Sequence, residues 1–463
     1  MRKPTAGAWC ALLLTSVLFS GCVERELAIL EPRVTRAIDQ RVYSGGVADV
    51  DLLVVVDDSG SMDEEQALLG AQIRELIEGL ASPPDADGDG TLDWNPVESL
   101  HVAIATSDMG TNGVPPSSAL GSCEGLGDDG ALFAAPACGG SGEAVMRWQT
   151  GDDPSAFADR VGCTAQEVGI EGCGFEQPLL SASRALERGD APFPREGALL
   201  AVLVLTDEED CSLGDPAPFY ATLPGGPAIN VHCTSHTELL LPVPELVERL
   251  RAGRSDDTFV FAAIAGVPVD LVEAGADFAT ILADPRMRYV PDSTTTVGLA
   301  YACQRFEGTT ERSAATPGRR YVELASRLEG ALVRSICEES FRPALAELTR
   351  RIGARITGAC LNRSLSPATD GTVPCEVVET LPAGARCDEL PARTPLGFDD
   401  EGRARCEIAQ AGPSGASGWL YDTSDPACDR LVFTDDAVPP FGAAVEFECI
   451  VELERPDTGE VTP

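Results

Sequence analysis

The chain is almost without lysine: Lys3 is the sole one in 463 residues, and arginine carries the remaining positive charge. Histidine is scarce, with 3 in all, and aromatic residues make up only 5%. A body free of lysine excludes a Walker-type phosphate loop, whose ammonium group must reach the phosphates. No GxSxG stretch occurs, which removes the nucleophile elbow of serine hydrolases. No CxxC pair occurs, which argues against a tetrahedral zinc site. His232 and His236 stand four apart, but no HExxH glutamate accompanies them and Cys233 lies between, so metalloprotease chemistry is not expected. No run is apolar for long enough to span a bilayer.

What is abundant is acid. Asp and Glu number 74 against 34 Lys and Arg, a formal net charge of −40. That sign repels phosphate backbones, so nucleic acid is not an expected partner, whereas divalent cations are attracted. Hydrophobic residues reach 44%, enough for a sizeable core. The start of the chain combines Arg2 and Lys3, the short apolar stretch ALLLTSVLF (11–19) and Ser20-Gly21-Cys22. This is the layout of a secretory signal. The cysteine directly after Ser-Gly resembles the lipobox of bacterial lipoproteins, although Phe19 stands where that family usually has leucine. The resemblance implies a signal peptide over 1–21, lipidation at Cys22 and attachment to the membrane through lipid only. With Val23 rather than aspartate next, it also implies the outer membrane, at its periplasmic face or the cell surface.

Cysteine usage agrees with export. Of 16 cysteines, setting aside Cys10 and Cys22 leaves 14, an even number that reads as disulfides. Sequence neighbours suggest Cys123 with Cys138, Cys163 with Cys173, Cys211 with Cys233 and Cys303 with Cys337. The last six, Cys360, Cys375, Cys387, Cys406, Cys428 and Cys449, allow about 15 pairings.

Four continuous apolar runs, at 50–58, 100–108, 198–210 and 258–266, lack the alternation of half-buried strands. They predict parallel strands covered on both faces. Helical spacing appears at 62–81, with apolar residues at 68, 69, 73, 76, 77 and 80, and again at 175–189, 244–253 and 319–331. Alternating strand and helix predicts an α/β, doubly wound, Rossmann-like and mostly parallel sheet over 48–357, preceded by a tether at 22–47. Beyond 358 short β-rich segments and dense cysteines predict a small disulfide-rich β domain, with Trp419 in its core. The stretches 82–97, 109–150 and 211–240 read as loop insertions.

Three apolar runs end in acids: Asp57-Asp58, Asp108, and Asp207 followed by Glu208, Glu209 and Asp210. The carboxyl ends of parallel strands share one edge, where ligands bind. Ser59 and Ser61 add hydroxyls, so the set offers hard oxygen donors suited to Mg2+ or Mn2+. Ser61 followed by Glu64 also fits a capping box, which needs no metal. Asp57-x-Ser59-x-Ser61 before an amphipathic helix, with Leu-Thr-Asp at 205–207, resembles the metal-ion-dependent adhesion site of von Willebrand factor type A (vWA) domains. That resemblance implies metal ligands at Asp57, Ser59, Ser61 and Asp207, and metal-dependent binding or adhesion to a protein whose acidic side chain completes the shell. The family's threonine loop is replaced here by GIEGCGFEQPL, where Glu176 offers an oxygen instead.

A second acidic pattern, DADGDGTLD, places Asp85, Asp87, Asp89, Thr91 and Asp93 at alternating positions, with Gly90 for the turn. It resembles a calcium loop, although Pro96 stands where an EF-hand has its closing glutamate. A metal-dependent hydrolase or phosphotransferase using the strand-end aspartates is the alternative to a binding protein. Ser59, where a dehalogenase-type phosphotransferase needs its second acid, weighs against it. An envelope protein with a decayed site is the third reading.

Overall fold

The computed structural model describes residues 35–43 and 49–452, apart from internal stretches at 86–91, 117–122, 190–192, 196–197, 224–228, 357–364, 412–416, 424–429 and a few isolated positions. The signal segment and Cys22 lie outside the described residues, as do Cys360 and Cys428.

In chain order the elements are β1 (Thr35–Tyr43), β2 (Asp49–Val56), α1 (Asp63–Gln72), α2 (Arg74–Ala81), β3 (Ser99–Thr106), β4 (Val145–Gln149), α3 (Pro154–Gln166), α4 (Pro178–Arg188) and β5 (Leu199–Leu205). Next come α5 (Pro216–Thr222), α6 (Ile229–Ser235), α7 (Val243–Arg251), β6 (Phe259–Ala265), α8 (Val269–Glu273) and α9 (Phe278–Ala283). A hairpin of β7 (Cys303–Glu307) and β8 (Thr310–Ala315) leads to α10 (Arg319–Ala325), β9 (Leu332–Ser335) and α11 (Arg342–Ile356). The C-terminal strands are β10 (Cys375–Thr380), β11 (Arg393–Phe398), β12 (Ala404–Ile408), β13 (Trp419–Asp422), β14 (Arg430–Phe433) and β15 (Ala444–Glu452).

Six strands form the main sheet in the order β4-β3-β2-β5-β6-β9. All pairs are parallel except β3 with the edge strand β4. The apolar runs are continuous because each strand serves two cores. Leu52, Val54 and Val56 face one core, shared with α1, α2, α3 and α11. Leu53 and Val55 face the other, shared with α4, α7 and α10. Register then fixes the site: Val56 pairs with both Thr106 and Leu205. Asp57, Ser107 and Thr206 therefore leave the sheet side by side at one edge.

The helix expected over 62–81 forms as two, α1 and α2, meeting at Ile73. The insertions are not plain loops: 109–150 contains β4, and 211–240 contains α5 and α6. α3 starts at Pro154, where Asp153 accepts hydrogen bonds from the N–H groups of Ser155 (3.0 Å) and Ala156 (3.4 Å). The stretch 22–47 is more than a tether, since β1 within it pairs antiparallel with β15. Thr35, Ile38, Val42 and Tyr43 supply the β propensity that the intervening charges obscured.

Beyond α11, β1, β15, β10, β12 and β11 form an antiparallel sheet, and β13 pairs with β14. Trp419 is 1% exposed, and its indole N–H donates to the Ile408 carbonyl (2.9 Å), so it packs the core of this region.

Disulfides join Cys211 to Cys233 and Cys303 to Cys337 as sequence spacing suggested. The other expected pair of bonds is corrected. Cys123 joins Cys173 and Cys138 joins Cys163, a nested arrangement. The chain between runs out through β4 and back along α3, which brings the outer and inner cysteines together rather than sequence neighbours. Cys375 joins Cys449 and Cys387 joins Cys406.

Candidate metal centre

Asp57, just past β2, is fully buried. Its Oδ1 accepts the Ser59 N–H (2.8 Å) and its Oδ2 accepts the Thr206 hydroxyl (2.6 Å). Gln66 on α1 donates to the Asp57 carbonyl (2.8 Å), fixing the turn from strand to helix. The hydroxyls of Ser59 and Ser61 lie 3.1 Å apart. Ser61 is not a helix cap: α1 begins after Met62, and no side chain caps it. The capping-box reading is thereby corrected. Ser61 falls one residue too early, and its hydroxyl turns to Ser59.

Asp207 and Glu176 complete the group of expected residues. Glu176 is fully buried and Asp207 is 8% exposed. Neither carboxyl oxygen of Glu176 has a hydrogen-bond donor, and neither does Oδ1 of Asp207. Glu208, also buried, joins them; its Oε2 accepts from the Asn230 amide on α6 (2.7 Å). Above them opens a cleft of about 380 Å³, lined by Ser59, Ser61, Glu65, Asp207, Glu208 and, from the β7–β8 hairpin, Ser313.

Electrostatics shows what this grouping costs. Burial first, then the charges of Asp57 and Glu208, push Glu176 well above the usual carboxylate range. The same order of causes raises Asp207 well above its ordinary value. Glu208 is pushed up to about 8 by burial and then by Asp57. Asp57 is raised by burial in spite of the hydrogen bonds from Thr206 and Ser59. Like charges thus crowd a dry site, and Arg312 on the cleft wall is paired with Glu64 (2.6 Å) and Glu307 (2.8 Å).

The remaining strand-end acids do other work. Asp58 turns away from the cleft to the Ser107 hydroxyl (3.3 Å), and burial, then Asp57, Asp108 and Asp128, push it up to about 8. Asp108 receives the Gly110 N–H (2.6 Å) and pins its loop. Glu209 accepts the Arg319 and Arg320 N–H groups (2.7 and 3.1 Å) at the start of α10. Asp210 accepts the Leu179 N–H in the first turn of α4 (3.1 Å) and pairs with Arg320 (2.9 Å). Only Asp207 and Glu208 of that acidic run face the cleft.

Among the described residues, no three Asp, Glu, His or Cys side chains already stand at the spacing of a metal cage. The group nevertheless offers hard oxygen donors. Its donor set mixes carboxylates with two hydroxyls, and three fully buried oxygens lack any donor. Thr206, Glu208 and Asn230 went unassigned from sequence. Thr206 and Glu208 flank Asp207 and were within reach of a positional argument; Asn230 gave no signal.

Of the second acidic pattern, Asp85 and Asp93 are exposed, and the Asp93 N–H closes on the Pro84 carbonyl (2.8 Å). Asp87, Asp89 and Thr91 lie outside the described residues. His232 packs edge-on against Phe219 with centroids 4.8 Å apart, and Cys233 is oxidised, so this pair is structural.

No family model and no curated protein matches this chain. Similar solved structures include the proximal thread matrix protein 1 of the mussel byssus, at 11% identity and a TM-score of 0.27, over 70% of this chain and 51% of that one. Another is the manganese-loaded TRAP protein of Plasmodium vivax, at 12% identity and a TM-score of 0.21, over 50% of this chain and 61% of that one. A third is the human COPII-coat protein Sec24c, at 10% identity and a TM-score of 0.31, over 89% and 44%. The chain thus spans between 44% and 61% of the length of these structures.

Proposed function

We propose that the chain is a cell-envelope lipoprotein, anchored through Cys22, whose strand-end site holds Mg2+ or Mn2+ and binds a partner protein in a metal-dependent way. One observation carries the reading: buried oxygens of Glu176 and Asp207 without donors, beside the paired hydroxyls of Ser59 and Ser61. Asp57, Ser59, Ser61 and Asp207 would hold the ion, with Glu176 where the vWA family has threonine. A bound dication would supply positive charge at the floor of the cleft and draw an acidic side chain from the partner. Thr206 and Gln66 keep Asp57 aimed, and the exposed Ser61 leaves one side open to solvent. The six disulfides described fit an exported protein, and no described helix is long and apolar enough to cross a membrane. The loop at 85–93 is proposed as a separate Ca2+ site. Binding, rather than turnover, is the proposed activity.

The test is a pull-down from envelope extracts with and without EDTA, comparing the wild type with Asp207→Ala. A partner retained by the wild type and lost in EDTA or in the variant is expected. Equal retention in all arms would reject metal-dependent recognition.

A further inference from the structure

We propose that Arg312 is a recognition residue of the cleft, which takes hold of a carboxylate of the incoming partner, and that Glu64 occupies it until the partner arrives. This rests on the partner-binding reading above and extends it to a residue outside the proposed metal ligands.

Arg312 stands at an irregularity in the β7–β8 hairpin. Arg305 pairs with Ser313 and Phe306 with Glu311, so Arg312 is the extra residue of a bulge and faces no partner on β7. A bulge re-aims the side chain it carries. Four consecutive residues, Glu311 to Ala314, line the cleft here, where a regular strand turns alternate residues away. The base of the hairpin is fixed: Cys303 is bonded to Cys337, and the Thr316 N–H donates to the Asp207 carbonyl (2.9 Å). The arginine is thus carried by a wall anchored at the strand-end site itself.

Arg312 is the one cation among the described residues that line the cleft, whereas Glu65, Asp207, Glu208 and Glu311 all line it. An acidic side chain entering this cleft meets like charge on its walls. Arg312 is the lining group able to counter that repulsion, through a planar fork that grips a carboxylate by two hydrogen bonds.

Its present partners are exchangeable. Nη1 donates to Glu64 at the start of α1 (2.6 Å), while Nε and Nη2 bond Glu307 (2.9 and 2.8 Å). The side chains of Arg312, Glu64 and Glu307 are 38%, 42% and 75% exposed, and ion pairs so well hydrated contribute little to stability. Glu64, once released, stays in the first turn of α1, where the helix dipole favours its charge. A carboxylate inside the cleft is less hydrated and gains more from the same guanidinium. Exchange therefore runs toward the partner.

The experiment follows binding of a rhodamine-labelled glycine–aspartate peptide to the full chain by fluorescence anisotropy, in Mg2+ and in EDTA, with the glycine–asparagine peptide as control. The wild type in Mg2+ is expected to prefer the aspartate peptide. Arg312→Ala should weaken that binding about tenfold, the scale of a charged hydrogen bond. Arg312→Lys should restore it only in part. Glu64→Gln, which removes the competitor, should tighten it several-fold. A bracing role for the Arg312–Glu64 pair predicts the opposite sign for Glu64→Gln, because either change then loosens the same wall. Unchanged binding in Arg312→Ala, or weakening in Glu64→Gln, overturns the assignment, and loss of binding in EDTA would still support the proposed function. Binding indifferent to EDTA yet lost in Arg312→Ala keeps the arginine's role and overturns metal dependence. No preference of the wild type for the aspartate peptide overturns the arginine's role, and the pull-down then decides the proposed function alone.

Discussion

At the scale of single residues, the opposed demands on Asp57, Glu176, Asp207 and Glu208 have a consequence in pH. Their folded-state values lie above those of an unfolded chain, with Glu208 at about 8 against an ordinary 4.5. Between those limits the folded protein binds more protons than the unfolded one, so metal-free stability falls as pH rises. The same sign holds for Asp58 at about 8 and Glu209 at about 7. The melting temperature in EDTA is expected to drop from about pH 5 to about pH 8, and saturating Mn2+ to flatten the drop. A metal-free melting temperature that rises across this window would refute the assignment. Asp57, Ser59 and Ser61 could be read as one contiguous motif at a strand end, and Asp207 as the acid that closes another apolar run. Glu208 and Asn230 meet across 22 positions through a disulfide-tied insertion, a contact that no local pattern encodes. The acids at 209 and 210 looked like more of the same run, yet they hold helix starts.

At the scale of elements, the site loop is braced by the contact between α1 and α3. A Cβ on Gly162 would lie 2.3 Å from the Gly70 carbonyl oxygen, a backbone atom that cannot swing aside. Gly162→Ala is therefore expected to push the helices apart at a cost of about 1–3 kcal/mol. Because α1 follows directly from Ser59 and Ser61, the variant should also bind metal more weakly. Urea unfolding and a Mn2+ titration check this; an unchanged midpoint would show that the helices do not meet so closely. The long strands were visible in sequence because burial on both faces demands unbroken apolar runs. The edge strand β4 and the four-residue β9 were not, since neither is long enough to set a pattern. The β1 strand was missed because its partner lies at the other end of the chain, about four hundred residues away.

At the scale of the whole molecule, the described disulfides lie within two regions that differ in kind, four in one and two in the other. The α/β region has two large cores, whereas the C-terminal sheet gathers around Trp419, Phe447 and a few aliphatic residues. Cys375–Cys449, spanning 74 positions, ties β10 to β15 there. The double change Cys375→Ser, Cys449→Ser is expected to cost about 2–5 kcal/mol in that region. It should leave the Mn2+-induced stabilisation of the α/β region intact. Loss of the metal response in this variant would mean that the two regions are coupled at the site. Cysteine parity made export legible, but the nested pairing was not, because it depends on how β4 and α3 fold back.

The most direct measurement is anomalous diffraction at the manganese edge from crystals equilibrated with Mn2+, for the wild type and Asp57→Ala. A peak bounded by the hydroxyls of Ser59 and Ser61 and the carboxylate of Asp207 is expected, absent in the variant. A wild-type map without density there, or a peak that persists in Asp57→Ala, would contradict it.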